Sequence, residues 1–542
     1  MPFSYLSERM SGIDALLLYL ERPETPINIG CTSIFDGPVS LDALVRFVES
    51  KLPLIPRYRQ RLVVPPFNVA HPTWEYDPDF DIRHHIHHAV LKRGSETELQ
   101  DLAGQIFSSL LDREKPLWDM TLVDGLRGGR SAIIARVHHC VVDGVGGVGL
   151  MNVLLDASPE PPPQPRIKRF KAPPLPDSEA SLTAGLMTSY SDLLERIAAI
   201  QMAGLNLVEV VLENGMGMLD QLMRLVPELL TPVERLPFNR PCLGPRKAAW
   251  TEFPIAKAKA IKKVCGGTLN DVVLTLVTGA VRRYAELHGT SVENRQLRMF
   301  VPVNLRRRHS TGNGLGNCIS IMPVNVPLGI TDPVKLLEAV RQKTEALKSA
   351  HVADLIYLVG TWLGMIPTPL QALSGPLSVL VTEPVFNLVC TNVPGPEFPL
   401  YLLGRKMLTY YPYVPIGNEW GIGCAIQSYD RKLYFGLTAD SVAAPDVARL
   451  SEFLELSFSE LCRATGVAAA RSRRPRPRPS PAPEEKVEPV APVPVQPVQA
   501  PAPEQSVQAP TPEQPGAAAE VVSAAAATAG FSPPTEPQIP KP

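Results

Sequence analysis

Proline decides where this chain can carry regular structure. There are 58 prolines. Each removes a backbone donor and fixes φ, so clusters of them exclude helix interiors and central strands. Residues 158–178 read SPEPPPQPRIKRFKAPPLPDS and predict a surface connection. A second proline-rich stretch covers 231–246. Between the two, 179–230 is apolar and periodic, without a β-branched run, and predicts one or two crossover helices. From residue 467 onward the chain is mostly Pro, Ala, Val, Gln and Glu, with hardly an aromatic. That composition buries too little apolar surface to offset the entropy of ordering, so a disordered tail is expected. Its opening alternates Arg471, Arg473, Arg474, Arg476 and Arg478 with proline, but acids further along offset those charges. A solvated tail is therefore the simpler reading than attachment to anionic lipid. The resulting division is 1–157, 158–245, 246–466 and 467–542.

The two long ordered stretches mix strands and helices, which points to an α/β fold. Helices are expected over 11–21, 41–51, 145–155, 268–287, 333–349 and 445–462. Strands are expected over 83–91, 131–137, 298–303, 319–326, 387–391 and 432–438. Neither GxGxxG after a first strand nor GxxxxGK[ST] is present, so nucleotide-cradling folds are not supported. The formal net charge is −1, which leaves no basic field for nucleic acid. The eight cysteines stand singly with no CxxC, which argues against a zinc ribbon or a dithiol redox site. With no signal peptide visible, a cytoplasmic, reduced setting is expected. The stretch 355–382 carries no formal charge but is broken by Pro367, Pro369 and Pro376. It predicts buried helices, or a surface dipping into lipid, and not a transmembrane helix.

The segment that carries chemistry is Arg136-Val137-His138-His139-Cys140-Val141-Val142-Asp143-Gly144-Val145-Gly146-Gly147. An apolar strand runs into two histidines, and a glycine-rich helix entry follows. Imidazole titrates near pH 6.5, so it can accept a proton at neutral pH. A strand end holds the ring with little positional spread. Asp143, just past a tight turn, can pair with an arginine or accept backbone N–H groups and so fix the ring of His139. Gly144, Gly146 and Gly147 allow tight turning or close approach. One base is enough, so His138 reads as a structural neighbour. Cys140 reads as packing, since a nucleophilic cysteine needs its own base. His84, His85, His87 and His88 cluster on the expected strand at 83–91, with His84 and His88 on one face. No carboxylate or cysteine completes a ligand set there, so no metal site is expected.

The strand–HHxxxDG–helix arrangement resembles the signature of CoA-dependent acyltransferases, a group that includes chloramphenicol acetyltransferase and peptide-synthetase condensation domains. Further matches resemble the bacterial wax ester synthase/diacylglycerol acyltransferase family. They are Ser11-Gly12-Ile13-Asp14 with Pro26-Ile27-Asn28-Ile29-Gly30, then Asp77 to Asp81, and Pro116, Leu117 and Trp118. In the second half they are the helix opening at Asn270 and Asp271, and Thr391-Asn392-Val393-Pro394-Gly395-Pro396. They run in family order from about residue 10 to about residue 465.

That resemblance implies two chloramphenicol-acetyltransferase-like α/β halves with a central channel between them. It implies acyl transfer from acyl-CoA to a hydroxyl, with His139 as general base and no acyl-enzyme. Asp143 would organise the turn, with His138 and Gly144 beside it. Pro116, Leu117, Trp118, Asn270, Asp271 and Asn392 would contribute to substrate binding. From the residues alone, Asn270 and Asp271 read as helix caps, and Pro116, Leu117 and Trp118 as pocket or core. Acyl-CoA enters as a substrate, and no cofactor is expected. The acceptor is diacylglycerol by family analogy. A long-chain alcohol (giving a wax ester) and another lipid hydroxyl or an amine are the alternatives. A non-catalytic lipid-binding or lipid-body protein is the alternative of a different class. Burying a CH₂ from water is worth about 0.8 kcal/mol, a gain that vanishes for a substrate already in lipid. Peripheral contact with a membrane or lipid-body surface, through 181–230 or 355–382, follows as an expectation.

Overall fold

A computed structural model describes residues 8–142, 144–160, 201, 231–304, 319–354, 356, 366, 368–374 and 384–467. Asp143, nearly all of the crossover, most of 355–382 and the tail lie outside them. In chain order the first part gives β1 (Glu8–Arg9), α1 (Gly12–Leu20), β2 (Asn28–Phe35), α2 (Leu41–Lys51), β3 (Gln60–Val63) and β4 (Thr73–Tyr76). It continues with β5 (Ile86–Val90), α3 (Glu96–Phe107), β6 (Trp118–Leu126), β7 (Arg130–His138) and α4 (Gly144–Leu154). The second part opens with β8 (Arg246–Pro254), α5 (Ile255–Cys265), α6 (Leu269–Leu287), β9 (Gln296–Asn304), β10 (Ile319–Pro327), α7 (Pro333–Ser349) and α8 (Thr368–Gln371). It ends with β11 (Leu388–Val393), β12 (Tyr401–Leu402), β13 (Arg405–Tyr413), β14 (Ile422–Tyr429), β15 (Lys432–Asp440) and α9 (Val447–Ala464).

The strands form two mixed six-stranded sheets, ordered β12-β13-β2-β7-β6-β5 and β10-β9-β11-β14-β15-β8, and a small sheet β1-β4-β3. The two large sheets give the expected pair of α/β halves. The halves are not independent, because β12 and β13 come from the second part of the chain and complete the first sheet. β13 pairs antiparallel with β2, Tyr411 opposite Thr32 and Tyr413 opposite Gly30. One expected strand changes. Ile82–His84 forms a short 3-10 turn capped by Asp81, and β5 begins only at Ile86. His84 and His85 therefore leave the strand, and the four histidines do not share two faces. Among the described residues no group of three His, Cys, Asp or Glu is placed to hold a metal.

Local chemistry sets the helix ends. The Ser11 hydroxyl caps α1 by accepting the Asp14 N–H. Gly266 and Gly267, at φ 78 and 83, turn the chain between α5 and α6 where a side chain would be strained. Thr268 and Asp271 then close a reciprocal capping box on α6. The following run, VVLTLVTGAV, is buried on every side, which makes α6 the centre of the second core. Among the described residues no single helix is long and apolar enough to cross a membrane; α5 and α6 reach that composition only as a pair bent by 101°.

Arg246, at the start of β8, fastens the two halves. Its guanidinium donates to Asp440 at 3.1 Å, to the Ile416 carbonyl at 3.0 Å and to the Glu24 carbonyl at 2.6 Å. Its backbone N–H donates to the Ser108 hydroxyl at 2.7 Å. Both Arg246 and Asp440 are fully enclosed. Gly436 lets β15 approach β13, since a Cβ there would lie 1.7 Å from the Pro412 carbonyl oxygen. Replacing Arg246 by methionine strands a buried carboxylate. We expect a loss of roughly 3–5 kcal/mol of stability, read by denaturant unfolding, with Arg246→Lys recovering only part of it.

Candidate active site

β7 delivers the two histidines to opposite environments. Strand residues alternate faces, and Ile133, Ala135, Val137 and His139 form one series along the wall of a large cavity. His138 belongs to the other face and is 0% exposed. Its Nδ1 accepts the Cys140 backbone N–H at 3.1 Å, which leaves the proton on Nε2. That nitrogen faces Glu21 Oε1 at 3.3 Å. Burial works against the Glu21 carboxylate, but His138, the Ile27 N–H and Arg113 outweigh it and hold its pKa at about 2. Glu21 also accepts the Ile27 N–H at 3.0 Å, and the Ile27 carbonyl accepts the His139 N–H at 2.9 Å. Glu21, His138 and Ile27 thus fix the backbone of His139 from behind, while its ring faces the cavity. Cys140 is buried, and burial pushes its thiol well above the usual range, so it is no thiolate nucleophile.

The cavity has a volume of about 910 Å³ and is lined from both large sheets and from α1, α2 and α4. Its walls are mainly apolar, as ligand pockets generally are. Gly147 of α4 faces it, and a Cβ there would meet nothing within 4 Å. Two lining charges neutralise one another. Arg136 donates to Asp119 through Nε at 2.8 Å and Nη2 at 2.7 Å, a forked ion pair at the cavity edge.

Comparison with known proteins agrees with this architecture. Residues 10–273 match the wax ester synthase/diacylglycerol acyltransferase catalytic domain, and residues 315–462 match the C-terminal domain of the same family. A Mycobacterium tuberculosis protein named as a diacylglycerol O-acyltransferase is 30% identical over 471 residues, covering 84% of this chain and 90% of that one. A second protein from that species, similarly named, is 29% identical over 474 residues, covering 84% of this chain and 100% of its own. The chain belongs to the wax ester synthase/diacylglycerol acyltransferase family. It is an acyl-CoA-dependent acyltransferase. Among solved structures, the Marinobacter aquaeolei wax ester synthase/diacylglycerol acyltransferase shares the fold with a TM-score of 0.58 at 23% identity, over 84% of this chain and 100% of that one. A mutant starter condensation domain of rhizomide synthetase, in complex with C8-CoA and Leu-SNAC, gives a TM-score of 0.51 at 11% identity, over 85% of this chain and 95% of that one.

Family resemblance and geometry diverge for several residues. Pro116, Leu117 and Trp118 are buried in the first core and do not line the cavity. Trp118 instead stacks between Tyr58 and His85, at 4.5 and 4.6 Å, and Phe80 extends the ladder beyond His85. The Trp118 indole donates to the Tyr58 carbonyl, and Tyr58 does line the cavity. Trp118 therefore acts on the wall from one layer behind it. His85 donates from Nδ1 to the Trp118 carbonyl, and burial pushes its pKa down. Asp271 is engaged in the α6 cap and accepts the Thr344 hydroxyl at 2.8 Å, so its part is structural. Asn392 lines the cavity and its Nδ2 donates to Asn270 Oδ1 at 3.3 Å, which joins two of the resemblance-derived residues. Gly144 opens α4, and Asp143 is outside the described residues. Glu21 and the Asp119–Arg136 pair were missed, because nothing local in the sequence marks a partner that far along the chain.

The Glu21 carboxylate contributes stability that is complete above about 4.5 and is lost as pH falls toward about 2. Thermal melts between pH 7 and pH 3 should therefore fall less steeply in Glu21→Gln than in the wild type, and that variant should already melt lower at pH 7.

Proposed function

We propose that the protein esterifies diacylglycerol with the acyl group of acyl-CoA, giving triacylglycerol and free CoA. The observation that supports this reading is the placement of His139. A strand-end imidazole, with its backbone tied down, faces an apolar cavity large enough for long chains. The acceptor oxygen attacks the thioester carbonyl carbon as His139 takes the hydroxyl proton. The tetrahedral intermediate collapses with cleavage of the C–S bond, and the departing sulfur takes the proton from the His139 imidazolium. No residue is acylated on this route. Holding both substrates in one cavity adds a proximity contribution, up to roughly 7–11 kcal/mol in favourable systems.

The substrates place the enzyme at a lipid surface, and one exposed region suits that contact. Phe67 is 85% exposed and sits at φ 57, a conformation unusual for a bulky residue. Its turn, Pro66–Asn68, packs beside α8, where Leu370 is exposed, with Ile366 and Leu373 exposed nearby. An exposed aromatic held in a strained turn beside further exposed aliphatics has the character of an insertion surface.

Purified protein given labelled palmitoyl-CoA and dioleoylglycerol on vesicles should release CoA and form triacylglycerol. His139→Ala should lower kcat by about 10²–10⁴-fold with an unchanged melt. Product from hexadecanol but not from dioleoylglycerol would replace this reading with wax ester synthesis. The double substitution Phe67→Ser and Leu370→Ser should weaken vesicle co-sedimentation by about tenfold or more, since burying each such side chain is worth roughly 1.5–3 kcal/mol.

A further inference from the structure

The two halves present different side chains to the cavity. On the first-half side the open lining is aliphatic, with Ile13 and Leu17 of α1, Ile29 of β2, and Leu150 and Leu154 of α4. The second half adds two rings, Phe300 of β9 and Trp420 just before β14. Both are half-buried. The lining aromatics Phe35, Phe47, Tyr58, Tyr410 and Tyr413 are all buried, at 9% exposed or less. Apart from the His139 imidazole, open aromatic surface on this wall is therefore confined, among the described residues, to Phe300 and Trp420.

Strand alternation explains why these rings stand apart. Met299 and Val301, on either side of Phe300, belong to the core around α6, and Phe300 faces the cavity instead. Val389 of β11 lies opposite Phe300, while its neighbours Leu388 and Cys390 join that core. Phe300 and Trp420 pack with Phe386, Val389, Val414 and Ala425 in a small cluster separate from both large cores. Phe386 is its base. The Phe386 ring centre lies 4.7 Å from that of Phe300, tilted by 53°, and 4.3 Å from that of Trp420, tilted by 43°. Two rings are thus braced from behind by a third, and neither is fully covered on the cavity side. Uncovered apolar surface inside a cavity marks a place for a ligand. Rings favour other rings in tilted or offset contact, which contributes beyond area burial. The fitting ring is uncharged. Adenine comes attached to phosphates that want free cations, and Arg136, the one lining Lys or Arg among the described residues, is already paired with Asp119.

We propose that Phe300, Phe386 and Trp420 seat an uncharged aromatic ring carried on a substrate chain, so that the enzyme forms aryl-bearing esters as well as glycerides. The inference rests on the reading of this cavity as the place where His139 promotes acyl transfer. The ring enters on an alcohol such as phenylbutanol, or on the acyl group of an aryl-terminated acyl-CoA. In either case the hydroxyl oxygen bonds to the thioester carbonyl carbon and the C–S bond breaks. The hydroxyl proton passes by way of His139 to the CoA sulfur, and nothing is oxidised or reduced. Phe300 and Trp420 are then specificity-determining residues, which favour a flat ring over a saturated one of the same size.

The test uses the full chain and two matched substrate pairs that differ only in whether the terminal ring is aromatic. Phenylbutanol and cyclohexylbutanol are offered with palmitoyl-CoA. Phenyloctanoyl-CoA and cyclohexyloctanoyl-CoA are offered with whichever of dioleoylglycerol and hexadecanol the wild type accepts. The wild type should favour the phenyl member of at least one pair by about two- to tenfold in kcat/KM. Preference in the alcohol pair puts the ring on the acceptor, and preference in the thioester pair puts it on the acyl chain. Phe300→Leu and Trp420→Leu keep apolar bulk and remove a ring, so each should shrink the preference, and Trp420→Phe should restore most of it. Comparing the two members of a pair within one variant cancels any general loss of active protein. Equal kcat/KM within both pairs in the wild type overturns the proposal. So does a preference that persists undiminished in both leucine variants. Triacylglycerol formation without any ring preference defeats this inference and leaves the diacylglycerol reading standing. A phenylbutyl ester formed with ring preference, but no triacylglycerol, does the reverse.

Discussion

A buried guanidinium ties the two halves of this enzyme together. Arg246 reaches Glu24 and Ser108 in the first part of the chain and Asp440 and Ile416 in the second. Its partners are fixed backbone carbonyls and a carboxylate that also receives the Gly244, Val442 and Ala443 N–H groups. A charge removed from water survives only when the protein replaces its hydration, and here the replacements come from both halves. The relative placement of the two sheets is thereby specified, and with it the walls of the cavity between them. Lysine could not do the same, since a point charge cannot fork toward separated acceptors.

The paired histidines show how one strand end can serve two environments. Alternation sends His138 into the protein and His139 to the cavity. The buried ring is fixed in one tautomer by the Cys140 N–H and faces a carboxylate, and that carboxylate accepts the N–H of Ile27, the residue whose carbonyl receives the His139 N–H. The His139 ring, half-buried, lines the cavity. The two histidines of the motif are thus held in different surroundings, one enclosed beside a carboxylate and one at the cavity wall.

Much of this was legible in the sequence because it is local. The apolar run into His138 and His139, the Ser11 cap and the α6 core helix are written within a few residues of where they act; of Asn270 and Asp271, expected as caps of α6, only Asp271 takes part, completing a box whose N-cap is Thr268. Trp118 illustrates the limit. The family resemblance implies a substrate-binding residue and the sequence alone leaves pocket or core open, but its ring packs between Tyr58 and His85, a pairing fixed by tertiary structure. Asp271 reads equally well as cap or site residue in a linear string. The structure shows it engaged by Thr268 and by Thr344, which lies on another helix. Glu21 and Arg246 carry no local mark, since their importance comes from partners across the fold. The strand expected from residue 83 failed for a local reason. Asp81 caps a short turn there and delays β5 to Ile86.

The loan of β13 to the first sheet has a consequence for biosynthesis. β2 lies between β7 and β13, and β13 is made late. A nascent chain that has only its first half outside the ribosome therefore presents the β2 edge with its hydrogen-bonding groups open to any passing strand. The cavity walls are incomplete until the late strands arrive, so a truncated chain lacks part of the apolar lining. Catalytic competence in this architecture comes as a late event of synthesis, and premature termination yields an adhesive fragment rather than a half-working enzyme.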